Sequence, residues 1–245
     1  MALKPGSFEF NLFLTLTIIL LASKLILCFY LLLQIYRRKK ETGKITFSFI
    51  TSAFVLMVCL FISRLIFAYW DFFLTEFDPN KFYTYPNVVY WKCASLTMAI
   101  GFSAFFFALD KNILKFKFKG VLAYIMLTVG LIQLFYPIKD LQDFYVMASF
   151  AFILNLLAIA IPIIFIYIGK NAPQYRKSAY LIALGTIIYA IGTNIVIESF
   201  LAFLEGIWGT NTRIIVYFLF LILKITGLSI FTYSISKFVR IFSNK

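Results

Sequence analysis

Apolar positions in this chain gather into long runs separated by short polar stretches. A helix needs about 20 predominantly apolar residues to cross a bilayer. By that measure the chain divides into seven spans, at 10–36, 46–74, 88–109, 120–138, 144–169, 178–204 and 212–236. The predicted fold class is therefore all-α, an integral membrane bundle of seven transmembrane helices. The first run is too long for the apolar core of a signal peptide and lacks a small-residue cleavage site, so it is expected to stay as a span. With six prolines and eleven glycines in 245 residues there is no stretch that reads as a linker, and residues 1–245 are read as a single domain.

The polar stretches give a direction. "RRKKETGK" follows the first span, "DKNILKFKFKG" the third and "GKNAPQYRKS" the fifth, and "SKFVRIFSNK" ends the chain. Together they hold fifteen Lys and Arg against two acids, Glu41 and Asp110. The opposite side holds four basic residues and seven acids. Basic loops stay cytoplasmic, so the N-terminus is expected outside and the C-terminus inside, in a plasma membrane. In "KFKFKG", Lys115, Lys117 and Lys119 alternate with Phe116 and Phe118, a pattern suited to a membrane anchor with rings in lipid and ammonium groups among the head groups.

Composition agrees: 62% of residues are hydrophobic and 13% charged, too apolar for a soluble domain of this length. The formal charge of +13 is confined to the flanks of apolar runs, so it reads as a topology signal and contact with anionic lipid, and nucleic acid is not an expected partner. A cytosolic signalling partner at the basic loops is the sharper alternative. The chain has no histidine. That removes Ser-His and Cys-His nucleophiles and most metal-dependent hydrolysis, so no enzyme, catalytic residue or metal site is predicted. Cys28, Cys59 and Cys93 all fall inside apolar segments, where a thiol behaves as a small hydrophobe.

The candidate chemistry is what remains within the spans: Lys24, Arg64, Lys92 and Lys224, with Glu198 as the one acid and Asp71 at the outer edge of the second span. Lys24 stands 13 residues from both Asn11 and Arg37, about 20 Å from either end at 1.5 Å per residue, beyond the reach of a snorkelling lysine stem. Lys224 is placed alike between Arg213 and Lys237. Such a charge costs about 2.5–3.5 kcal/mol on insertion scales and so needs a partner, a wet cavity or a task. Arg64 and Asp71, seven apart, share a helix face, and so do Asn194 and Glu198 at i and i+4. Each cation alone fits a structural pair or a bond to a backbone carbonyl. As a set, they are expected to converge on one cavity open to the outside whose surplus positive charge holds an anion. The predicted ligand-binding residues are Lys24, Arg64, Lys92, Asn194, Glu198 and Lys224.

Smaller signals are structural. Pro162 should kink the fifth span, and Gly101, Gly185 and Gly192 suit close helix packing. Tyr83, Tyr85, Tyr90 and Trp91 form an aromatic belt in the outer loop, with a lid as the alternative.

Lys224 in "LKITGLSIF", halfway along the last of seven spans, resembles the retinal-binding lysine of rhodopsins. That resemblance implies a Schiff base, with retinal as cofactor and Glu198 as counter-ion. The likeness does not extend to span three, which carries Lys92 and no acid before Asp110. "APQYRKSAYLIALGTIIYAIGTN", a short basic loop leading into a Gly-punctuated span, is similar to the seven-helix input modules of prokaryotic sensor kinases, which implies ligand sensing. The topology is also similar to that of sugar-efflux and related carriers, with three spans, a linker span and three more. The expected function is a receptor-like or sensor-like protein binding a small anionic ligand or lipid without a cofactor; a small secondary transporter of an anionic solute is the alternative.

Overall fold

The computed structural model describes residues 5–42, 48–196, 198–209 and 212–243, and is all-α. Helices α1 (Phe8–Thr42), α2 (Phe49–Tyr69), α3 (Asn87–Asn112), α4 (Val121–Phe135) and α5 (Leu141–Ala158) are followed by α6 (Ala160–Asn171), α7 (Arg176–Asn194), α8 (Glu198–Trp208) and α9 (Thr212–Ser243). Among the described residues, five stretches are long and apolar enough to cross a membrane: 8–40, 49–74, 87–112, 141–171 and 212–241.

Two of the seven predicted spans take another form. The fourth was expected over 120–138, but α4 stops at Phe135, about 22 Å at 1.5 Å per residue. Pro137 is the reason, because a residue preceding proline is forced out of helical geometry, and Tyr136 is extended at ψ 124°. The sixth, 178–204, is broken: α7 ends at Asn194, and α8 opens at Glu198. Within the fifth, Pro162 has no N–H to donate to Ala158, and α5 ends there; helix resumes at Ala160.

The helices fall into two compact units, one made chiefly of residues 28–158 and the other of residues 8–27 and 159–245. In the first, α2 packs on α3, α3 on α4 and α4 on α5. Glycines bring the axes close: a Cβ at Gly101 would lie 2.6 Å from that of Cys59, and one at Gly130 2.6 Å from that of Ala99. Polar side chains then tie the seams. Ser95 Oγ and Gln133 Oε1 lie 2.6 Å apart, Gln133 Nε2 donates to the Met147 carbonyl at 3.3 Å, and Ser103 Oγ donates to the Ala123 carbonyl at 2.8 Å. At one end, Trp70, Phe144 and Met147 form a buried cluster against which Phe82, Tyr83 and Trp91 pack. Tyr83 and Trp91 are thus packing residues, while Tyr85 and Tyr90 are exposed, as a belt requires.

In the second unit α7 crosses α9 backbone against backbone. A Cβ on Gly227 would sit 2.6 Å from the Tyr189 nitrogen and 2.8 Å from the Gly185 oxygen, and one on Gly185 2.7 Å from the Phe231 nitrogen. Helix α6 packs on α7, and α8 turns back along α9 through Gly209, held by a bidentate Arg213–Glu205 pair. The first half of α1 runs beside α9, with Phe13 stacked on Tyr217 at 3.9 Å and Leu16 and Leu20 packed on Phe220 and Leu221.

Candidate functional site

Four of the six predicted residues are cations, and they divide two and two between the units. In the first unit each has a visible structural bond. Arg64 Nη1 donates to Asp71 Oδ2 at 3.4 Å, as the seven-residue spacing predicts. A π-helical turn over Trp70–Leu74 follows, closed by Thr75, whose hydroxyl donates to the Trp70 carbonyl at 2.9 Å. Lys92 Nζ donates to the Tyr136 carbonyl at 2.6 Å. Tyr136 caps the C-terminus of α4, so the ammonium answers both an exposed carbonyl and the negative end of a helix dipole.

In the second unit Lys24 and Lys224 are buried, 2% and 8% exposed. Lys224 Nζ lies 4.5 Å from the Phe220 ring centroid and 5.3 Å from that of Tyr189, so two ring faces stabilise the ammonium by about 0.5–2 kcal/mol. Gly192 makes room on α7: a Cβ there would be 3.3 Å from Lys224 Cγ. Lys24 stands one turn beyond Leu20 on α1. From the Phe13–Tyr217 stack, eleven residues lead to Lys24 and seven to Lys224, so along these parallel helices the two differ in level by about 6 Å.

The interruption of α7 falls at this level. Ile195 and Val196, directly after the end of α7, pack on the cluster of Leu16, Leu20, Phe220 and Leu221, one turn from Lys224. No proline announces the break, and 195–197 are Ile, Val and Ile. It corrects the expectation that Asn194 and Glu198 share one continuous helix face: they end and begin separate helices. Asn194 is exposed, and its Nδ2 donates to the Ala190 carbonyl at 2.8 Å. The side chain of Glu198 lies outside the described residues.

Chemically, the second unit sets two ammonium groups and aromatic faces beside an interrupted helix, an arrangement that can attract an anion or form an imine at Lys224. Among the described residues no three Cys, Asp or Glu side chains gather as a metal site would require. No family model, curated protein or solved structure matches this chain.

Proposed function

We propose that the protein is a receptor-like or sensor-like bundle of the plasma membrane that binds a small anionic ligand or lipid head group between α1, α9 and the α7–α8 interruption. The observation that carries this reading is the pair of buried lysines, Lys24 and Lys224, in one unit near where α7 stops. Within the predicted spans the sequence sets four cations against one acid, Glu198, and a surplus of positive charge in a low-dielectric wall draws an anion. Arg64 and Lys92 brace the other unit and are not needed to hold the ligand.

In this reading the chain crosses seven times, as α1, α2, α3, α4, α5–α6, α7–α8 and α9, with the N-terminus outside. The basic ends inside pass the signal to a cytosolic partner. Native mass spectrometry of the gently purified protein tests it, followed by denaturing mass of the same sample. A bound anion that leaves on denaturation, and is lost from Lys224→Met, supports the reading. Normal binding by that variant removes Lys224 from the site. An adduct that persists on Lys224 replaces the anion with a retinal-type imine.

The two interrupted helices favour a second reading, a carrier for the same kind of solute, since discontinuous helices at mid-depth recur in secondary transporters. Uptake into liposomes under a solute gradient marks a carrier; binding without uptake marks a sensor.

A further inference from the structure

The connection between α3 and α4 is a built loop, although its sequence, "KNILKFKFKG", reads only as a basic flank. Lys115, Phe116 and Lys119 hold positive φ angles of 53°, 61° and 49°, and Gly120 follows at 75°. Left-handed backbone is disfavoured for residues with a Cβ, so three of them in five positions need something to hold them. Asp110 does so. Its carboxylate, in a residue only 4% exposed, accepts from the Phe118 N–H at 3.0 Å and the Gly120 N–H at 2.7 Å, while its carbonyl accepts from the Phe116 N–H at 2.9 Å. Backbone N–H groups presented by left-handed residues form a concavity for anions, and here the chain's own acid fills it.

Two consequences follow for the surface. The acid beside this basic stretch is turned inward and spent on backbone, and Lys111, Lys115, Lys117 and Lys119 are exposed. The Phe116 ring also packs edge-on against Phe107 at 5.6 Å. Phe107 lies five residues inside the end of α3, so the loop folds back about 7.5 Å along the helix toward its apolar stretch. Phe116 and Phe118 remain 40% and 44% exposed there, between the ammonium groups.

We propose that this loop is a docking site for anionic phospholipid in the leaflet around it, with Lys115, Lys117 and Lys119 holding head-group phosphates while Phe116 and Phe118 enter the interface. A soluble acidic protein would match the lysines but would gain nothing from two phenylalanines folded back along a membrane-length helix. The proposal rests on the membrane placement of α3 and α4 and is independent of any ligand at Lys24 and Lys224.

The test is retention of phosphatidylglycerol over phosphatidylcholine by the full chain extracted from mixed bilayers, counted by native mass spectrometry. Replacing the three lysines by Gln should lower the ratio by about fivefold for each charge removed. Asp110→Asn should lower it as well, although no lysine is lost, because the loop is released. Neutralising the regular helical cluster Arg37, Arg38, Lys39 and Lys40 should lower the ratio less than the triple-lysine variant does. The proposal is overturned if the triple-lysine variant retains phosphatidylglycerol like the parent, or if the α1 variant loses as much. Loss of a co-purifying acidic protein from the triple variant, at constant lipid retention, overturns it too. Circular dichroism identifies an Asp110→Asn chain that fails to fold, and the lysine variants then decide alone.

Discussion

The two units hold their helices together by different means, and the difference bears on what their buried charges are free to do. In the unit of α2 to α5, polar groups are joined across seams: Arg64 to Asp71, Lys92 to the Tyr136 carbonyl, Ser95 to Gln133. In the unit of α6 to α9, the main seam is glycine against backbone, and Lys224 lies over the rings of Phe220 and Tyr189. A charge used as a brace is a poor ligand for anything else. The first unit also closes on Gly101 and Gly130, and the second also carries the Arg213–Glu205 pair; what sets the second apart is the backbone-to-backbone approach of α7 and α9 and a helix interrupted beside a lysine.

The largest expected effect falls on the glycine seam. Gly227→Ala places a Cβ against the Tyr189 nitrogen and the Gly185 oxygen, and backbone cannot move aside as a rotamer can. Destabilisation of about 3 kcal/mol or more is expected in denaturant titration of the micellar protein. Gly206→Ala, where nothing lies within 4 Å, is the neutral control on the same unit. If both behave alike, the contrast between shape and polar bonding fails.

Next comes the ion pair. Arg64→Met strands a mostly buried Asp71 and should cost about 3 kcal/mol, whereas Arg64→Met with Asp71→Leu should recover most of it. Ligand retention per folded molecule should stay at the parent level in both. A fall in retention with stability unchanged would move Arg64 from brace to ligand contact. Lys92→Met removes one charged hydrogen bond to a helix end, and a loss of about 2 kcal/mol is expected by the same titration. A loss near zero would mean that other donors cover the Tyr136 carbonyl.

The smallest effect is on the loop between α2 and α3. The Glu76 carboxylate, by a hydrogen bond at 2.8 Å, holds the Lys81 ammonium above its ordinary pKa of 10.5. A raised lysine value means that the contribution is fully present below 10.5 and is lost as pH climbs through the value in the folded chain. Unfolding midpoints should therefore be flat across neutral pH as far as this pair is concerned. A loss specific to the parent, absent from Lys81→Gln, should enter only above 10.5.

Particular residues show where reading the chain works. The seven-residue spacing of Arg64 and Asp71 places both on one face, and the pair forms; Pro162 removes a specific donor, and the helix ends at the carbonyl it would have served. Both are local consequences of helix geometry. The partner of Lys92 is 44 residues away, and the Asp110 clasp depends on a loop folding back, so neither could be read from spacing. The interruption after Asn194 has no proline to mark it, and Ile195 and Val196 pack there against residues of α1 and α9.

The sequence alone determined that the chain is helical, that it holds several helices long and apolar enough to cross a membrane, and which few charges lie within apolar runs. Those are properties of a single helix in contact with its solvent, and composition settles them. Only the tertiary structure decided which charges brace a seam, that Lys24 and Lys224 fall in one unit, and that α7 stops near them. These depend on which helix faces meet, and that choice follows from the closest approach that Gly185, Gly192 and Gly227 permit between α7 and α9.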